Sequence, residues 1–205
     1  MINGLIGKKL GMTQVFDGEG RTIPVTVVEA GPCTVVEVRT KDRHGYDAVQ
    51  VAFEEIPERK LTKPQLGHLK KAQVKPSRVL REFRKQGDAQ VGQVLRADLF
   101  QKGEWVDVIG TSIGKGFQGV IKRHHFSGGP ETHGHMFHRQ PGSIGSSAYP
   151  SHVWKNKRLA GHMGAERVTT KGLRIVETRP DENLLFISGS VPGPPGGIVL
   201  VRKAK

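Results

Sequence analysis

Residues 4–29 read GLIGKKLGMTQVFDGEGRTIPVTVVE, and this stretch decides the fold. Short runs of Val, Ile, Thr and Phe are separated by glycine or by the turn Asp17-Gly18-Glu19-Gly20, a pattern typical of strands joined by a hairpin. We predict strands at residues 4–10, 12–16 and 22–29, and further strands at 34–40 and 48–54. Their regular spacing indicates an all-β meander or barrel.

The strand pattern stops at residue 57 and resumes later in the chain. Residues 57–92 carry loosely spaced apolar residues among many Lys and Arg, which predicts a small insertion with one or two short helices, interrupted at Pro64 and Pro76. Further strands are expected at 105–109, 167–169, 173–177, 184–188 and 198–202. We therefore divide the chain into a first part of the barrel (1–56), an α-containing insertion (57–92), a barrel continuation (93–123), a basic Gly/His-rich loop (124–164) and the completion of the barrel (165–205).

The loop differs in composition from the rest of the chain. Residues 124–152 read HHFSGGPETHGHMFHRQPGSIGSSAYPSH, in which Ile144 is the only Val, Ile or Leu and Glu131 the only acid. Such a segment buries too little apolar surface to offset the entropy of ordering it. Since it lies between predicted strands, we expect an external partner to order it, and a polyanion suits it best.

The charge distribution supports this expectation. The formal net charge is +13, and residues 111–172 hold nine Lys or Arg against two acids, together with seven of the nine histidines. An excess of this size is typical of proteins that bind nucleic acid. No apolar stretch has the length of a membrane span, so no membrane partner is expected. The single cysteine, Cys33, excludes an internal disulfide, which fits a reducing, cytosolic setting.

Three enzyme-like or metal-like patterns have weaker support. Gly114–Gly119 matches GxGxxG, but no apolar crossover helix or second parallel strand follows, so a nucleotide-dependent enzyme is kept only as the alternative function. His133, His135 and His138 lack the spacing of a standard zinc site. Ser143 does not lie in a GxSxG elbow. We predict no catalytic residue, no metal, no cofactor and no small-molecule substrate.

RNA is the favoured polyanion because cations and planar side chains alternate in the loop. Glycines let backbone approach a phosphodiester chain, which Lys115, Lys122 and Arg123 would neutralise. Aromatic side chains can stack on unpaired bases while cations bind the RNA backbone. An alternative stays open for two of the aromatics, since Phe117 and Trp154 could instead anchor the loop to the barrel.

The run FQKGEWVDVIGTSIGKGFQGVIKR at residues 100–123 resembles the signature of the universal ribosomal large-subunit protein L3 family. The opening GLIGKKLGMTQVF and the segment HRQPGSIGSSAYPSHVWKNKRLAGHMGAERVT at residues 138–169 resemble the same family, so the likeness covers essentially the whole chain. The resemblance implies a closed β-barrel of the translation-protein type, with a long extended loop that penetrates the rRNA toward the peptidyl transferase centre.

The resemblance also implies a function and a location. A structural constituent of the cytoplasmic ribosome would bind large-subunit rRNA near its 3′ end, nucleate early assembly and contact neighbouring ribosomal proteins. Tyr149 is expected at the loop tip, because family members from other kingdoms carry tryptophan at the matching position. The residues predicted to contact RNA are Lys8, Lys9, Lys115, Lys122, Arg123, His124, His133, His138, Arg139, Gly142, Ser143, Tyr149, Trp154, Lys155, Lys157 and Arg158.

Overall fold

The computed structural model describes residues 2–84 and 88–204 and divides them into two compact units. The first unit comprises residues up to Ser112 and from Arg167 onward, and the second unit comprises Ile113–Glu166. The strands of the described part are β1 Gly4–Phe16, β2 Thr22–Ala30, β3 Cys33–Arg39, β4 Ala48–Glu55, β5 Ser77–Arg84, β6 Val94–Leu95, β7 Trp105–Thr111, β8 Gly116–Gln118, β9 Gly161–Met163, β10 Arg167–Arg179, β11 Leu184–Ser188 and β12 Ile198–Lys203. The helices are α1 Lys41–His44, α2 Lys63–Lys71 and α3 Val120–His124, with 3-10 turns at Glu58–Lys60 and Ala97–Leu99.

The first unit contains a closed antiparallel barrel in the order β1-β12-β7-β10-β11-β2, which confirms the predicted fold class. The two strands predicted at 4–10 and 12–16 are one strand, β1, because a register shift between Lys9 and Gly11 absorbs the glycine without breaking the pairing with β2. Gly7 permits the close approach of these strands, since a Cβ there would lie 2.7 Å from the Glu29 carbonyl oxygen.

A similar irregularity joins the strands predicted at 167–169 and 173–177 into β10. The register with β7 shifts between Thr170 and Leu173, and Gly172 takes φ +64° there. Asp107 of β7 supports the shift from the buried side: it accepts a hydrogen bond from the Gly172 N–H (3.1 Å) and one from Arg202 Nη2 (3.0 Å). One buried carboxylate therefore connects three neighbouring barrel strands.

A second sheet, in the order β5-β4-β3-β6, departs from the expected division of the chain. Residues 1–56 were expected to form the first part of the barrel, whereas β3 and β4 pair with each other in the second sheet. Strand β4 also pairs with β5 from the insertion, and β3 pairs with β6, which follows the insertion. The insertion contributes β5, which was not predicted, and α2, in which Pro64 lies in the first turn, where proline is tolerated, and so starts the helix instead of interrupting it. Residues 85–87 of the insertion lie outside the described residues, as do both chain ends of the predicted division.

One hydrophobic core joins the barrel and the second sheet. Leu5 and Ile6 of the barrel and Val35 and Val51 of the second sheet belong to one buried cluster, together with Phe100. Since burying apolar surface is the main favourable term in folding, the two sheets form a single folded body. Cys33 lies in the same core, where burial raises the pKa of its thiol to about 12.

Candidate nucleic-acid interface

The second unit has regular structure only near its two ends, which we call its base: β8 and α3 at one end and β9 at the other. Strand β8 pairs with β9 in an antiparallel ladder, from Gly116 opposite Met163 to Gln118 opposite Gly161, and α3 follows β8 directly. Between α3 and β9, residues 125–160 contain no helix or strand, and almost every side chain there is exposed. This agrees with the sequence, because residues 124–152 carry only one branched aliphatic side chain.

Two basic residues of α3 fasten the base of the second unit. Arg123 Nη1 donates to the Leu159 carbonyl oxygen at 2.7 Å, and His124 Nε2 lies 3.0 Å from the same oxygen, which requires the imidazole nitrogen to be the donor. Arg123 also lies against Gly161, where a Cβ would come within 2.7 Å of Nη1. Both side chains were predicted to bind RNA. In the RNA-free protein both instead connect α3 to the chain at Leu159.

The cations of the second unit lack carboxylate partners. Seven Lys or Arg side chains occur in residues 113–166 against two acids, and within the described ranges none of the seven forms an ion pair. In the first unit, by contrast, many cations are paired, for example Arg202 with Asp107 (3.0 Å) and Lys203 with Glu104 (2.7 Å). Unpaired like charges repel one another, so the second unit needs anions from outside.

Most of the predicted RNA-contacting residues are exposed in the second unit. This set comprises Lys115, Lys122, His133, His138, Arg139, Gly142, Ser143, Tyr149, Trp154, Lys155, Lys157 and Arg158. The aromatic side chains among them are open to solvent, with Tyr149 at 87% and Trp154 at 61% of full exposure. Phe117 is 77% exposed, so neither Phe117 nor Trp154 is buried. All three side chains are therefore largely accessible to solvent.

The two lysines of β1 differ from this set. Lys9 is buried, and its Nζ donates to the carbonyl oxygens of Val191 (2.8 Å) and Gly193 (2.9 Å). Lys8 Nζ lies 3.6 Å from a carboxylate oxygen of Glu54. The Lys9 ammonium therefore stabilises the fold of the first unit, and its hydrogen-bonding capacity is used within the protein.

The arrangement of the glycine motif and the histidines does not suit the alternative chemistry. Gly114–Gly119 leads into an antiparallel two-stranded ladder and a five-residue helix, whereas a dinucleotide site needs a parallel sheet and a crossover helix. His135 Nδ1 accepts the Phe137 N–H (3.2 Å), and His138 Nδ1 lies 3.0 Å from the Pro130 carbonyl oxygen. Residues 2–84 and 88–204 contain no group of three His, Cys, Asp or Glu side chains arranged to hold a metal ion.

The sequence did not identify a cavity in residues 125–142, which brings Phe126, His135, Phe137 and Gln140 together. Each residue is unremarkable alone, and the two glycines at 128 and 129 are the only local sign that the chain turns back there.

Within the part of the chain that the structure describes, no helix is long and apolar enough to cross a membrane.

Comparisons with known proteins identify the family of this chain. A family model described as "Ribosomal protein L3" matches residues 59–182. The chain is 55% identical to a Geobacter sulfurreducens protein over 98% of this chain and 97% of that protein. It is 52% identical to a Herpetosiphon aurantiacus protein, over 100% of this chain and 97% of that protein. Both relatives are named "Large ribosomal subunit protein uL3".

Proposed function

Because the chain belongs to the ribosomal protein L3 family, it is a structural protein of the ribosome and not an enzyme, and we propose that it binds large-subunit rRNA directly. The binding site lies near the 3′ end of that rRNA, and binding there nucleates early assembly of the subunit in the cytoplasm. Neighbouring ribosomal proteins are its other partners. Membership of this family overturns the alternative of a nucleotide-dependent enzyme that uses Gly114–Gly119.

The unpaired cations of the second unit carry this proposal. Lys115, Lys122, Arg139, Lys155 and Lys157 are exposed, and none of them has a carboxylate partner among the described residues. A phosphodiester backbone supplies a regular row of negative charges, and each cation that binds one phosphate releases condensed counterions. The exposed rings of Tyr149 and Trp154 add surfaces for unpaired bases, which single-stranded RNA exposes and double-stranded RNA hides.

The two units have separate tasks in this proposal. The first unit folds on its own apolar core, while residues 124–164 extend into rRNA toward the peptidyl transferase centre. A chain of about 20 residues in each arm spans on the order of 60 Å when extended, at about 3.3 Å per residue. Tyr149 is placed at the tip. Since the segment holds no group suited to chemistry, its effect on peptide-bond formation acts through the packing of RNA.

A salt titration tests the proposal. The triple variant Lys155→Ala/Lys157→Ala/Arg158→Ala removes three unpaired cations, and the matched control Lys70→Ala/Lys75→Ala/Arg78→Ala removes three that are paired with Glu58, Glu55 and Glu54. We expect the first variant to lower the log–log salt slope of binding to a large-subunit rRNA 3′-domain transcript by about 2, at about 0.7 per contact. The control should leave the slope almost unchanged.

Two results would contradict the proposal. Equal slopes for the wild type and the first variant would show that these cations do not meet phosphates. Equal affinity for a 3′-domain transcript and for a 5′-domain transcript of the same length would remove the assignment to the 3′ end. The control variant carries the same charge change, so a non-specific effect of net charge would lower both slopes alike.

A further inference from the structure

Residues 125–142 of the second unit line a cavity of about 680 Å³ that is open to solvent. Its lining includes two aromatic residues, Phe126 and Phe137, and two polar ones, His135 and Gln140. Ligand pockets in proteins typically measure about 300–1,000 Å³ and combine apolar walls with a few polar groups. The cavity therefore has the size and the lining of a site for a small planar group.

Contacts within the segment hold the cavity open. The Gly129 N–H donates to the His138 carbonyl oxygen (3.0 Å), and His138 Nδ1 donates to the Pro130 carbonyl oxygen (3.0 Å). A Cβ at Gly128 would come within 2.5 Å of the His138 carbonyl oxygen, so only glycine allows the backbone at residue 128 to approach residue 138 this closely. The turn is thus closed by a backbone hydrogen bond and by the His138 side chain, both within residues 129–138.

The polar groups of the lining have defined roles. Because His135 Nδ1 accepts the Phe137 N–H (3.2 Å), the proton of the neutral imidazole lies on Nε2, which is left as a donor. The amide of Gln140 offers both a donor and an acceptor. No carboxylate lines the cavity, and Arg139, the neighbour of Gln140, is exposed and has no ion pair among the described residues.

From these observations, and resting on the rRNA binding proposed above, we propose that this cavity binds one unpaired nucleobase of the large-subunit rRNA. A base has two apolar faces, which suit the rings of Phe126 and Phe137, and a polar edge, which suits His135 and Gln140. The phosphate of the same nucleotide would bind Arg139. An acidic or aliphatic ligand fits less well, because it would use either the cation or the rings but not both.

The proposal predicts different effects for mutations of Phe137, which lines the cavity, and of its neighbour Met136, which does not line it and is 83% exposed. We expect Phe137→Ala and Phe126→Ala to weaken binding of the full-length protein to a large-subunit rRNA 3′-domain transcript roughly 5- to 150-fold, the range that stacking of one base supplies. The salt slope should not change, since no charge is lost. Met136→Ala is the matched control and should bind like the wild type.

Chemical probing of the unpaired nucleotides identifies the base. Under saturating protein, dimethyl sulfate and 2′-hydroxyl acylation should show at least one unpaired nucleotide that is protected by the wild type and by Met136→Ala but is reactive with Phe137→Ala and Phe126→Ala. Circular dichroism establishes that the barrel is intact in each variant.

The outcomes distinguish the two proposals. If the wild type does not bind the transcript, the proposed function fails and this inference fails with it. If the wild type binds and both phenylalanine variants retain its affinity and its footprint, the cavity is not a base-binding site, although the protein still binds RNA. If Met136→Ala loses affinity as much as Phe137→Ala, the effect comes from the general apolar character of the segment, and the cavity is again excluded.

Discussion

Replacing Lys9 with methionine tests whether this lysine belongs to the fold or to the RNA interface. The Lys9 ammonium donates to the carbonyl oxygens of Val191 (2.8 Å) and Gly193 (2.9 Å), and the residue is 8% exposed. Methionine keeps the length of the apolar stem and removes the charge and both hydrogen bonds. The two carbonyl groups then lose their donor in the turn that precedes β12.

The expected loss of stability follows from these two bonds. A hydrogen bond to a charged group contributes about 1.5–3 kcal/mol, and the desolvation cost of the ammonium, which the variant no longer carries, offsets a part. We expect the free energy of unfolding to fall by about 2–4 kcal/mol. In a folded body of this size about 1 kcal/mol corresponds to a shift of about 2–4 °C, so Tm should fall by roughly 4–16 °C.

Urea denaturation of the isolated protein, followed by circular dichroism, measures the change, and Lys8→Met is the control. Lys8 lies 3.6 Å from Glu54, and both side chains are partly exposed, so its loss should change stability by at most about 1 kcal/mol. An unfolding free energy of Lys9→Met within about 0.5 kcal/mol of the wild type, together with a shallower salt slope for RNA binding, would refute the structural role.

Four further expectations can be measured on the same protein. Hydrogen exchange of the RNA-free protein should show weak amide protection through residues 128–151, and strong protection there would contradict a segment that RNA orders. Deleting residues 127–151 should leave the first unit folded, because rejoining the chain costs little loop-closure entropy; an unfolded variant by circular dichroism would refute this. Tyr149→Ala should weaken rRNA binding by about 1–3 kcal/mol with an unchanged salt slope, and affinity and ribosome activity equal to the wild type would remove Tyr149 from the interface. Since burial raises the pKa of the Cys33 thiol to about 12, iodoacetamide at pH 8 should alkylate it only after denaturation, and rapid labelling of the native protein would show that the thiol is accessible.

Much of the barrel was predictable because its strands are short runs rich in β-branched and aromatic residues, separated by Gly, Pro or Asp. The limits of β2, β7, β11 and β12 lie within two residues of the predicted ones. Strand β5 was missed because its sequence, SRVLREFR, has Arg or Glu at its exposed positions, and a single basic stretch gives no local sign of a partner strand. Only the pairing with β4, from Ala48 opposite Arg84 to Glu55 opposite Ser77, makes it a strand.

The side-chain roles were less predictable, because the partners are distant in sequence. The acceptors of Lys9 lie more than 180 residues further along the chain, and the acceptor of Arg123 lies 36 residues away. Composition identified these residues only as basic, and a basic residue in a basic chain suggests RNA. The sequence did indicate the exposed cations, since residues 124–152 contain a single acid that could pair with them.

Mutations of paired and of unpaired cations should have different effects, the first on stability and the second on rRNA binding. In the first unit, Arg39 binds Glu82 (3.1 Å) and Arg202 binds Asp107 (3.0 Å), so replacing either cation leaves a carboxylate without its partner. Replacing Lys155 or Arg158 breaks no ion pair among the described residues and relieves repulsion within the second unit. Loss of a second-unit cation should therefore reduce rRNA affinity while leaving the unfolding free energy unchanged or slightly higher. The opposite pattern, stability lost and affinity kept, is expected for Arg202→Ala, and if both variants lost both properties the two units would not divide the work in this way.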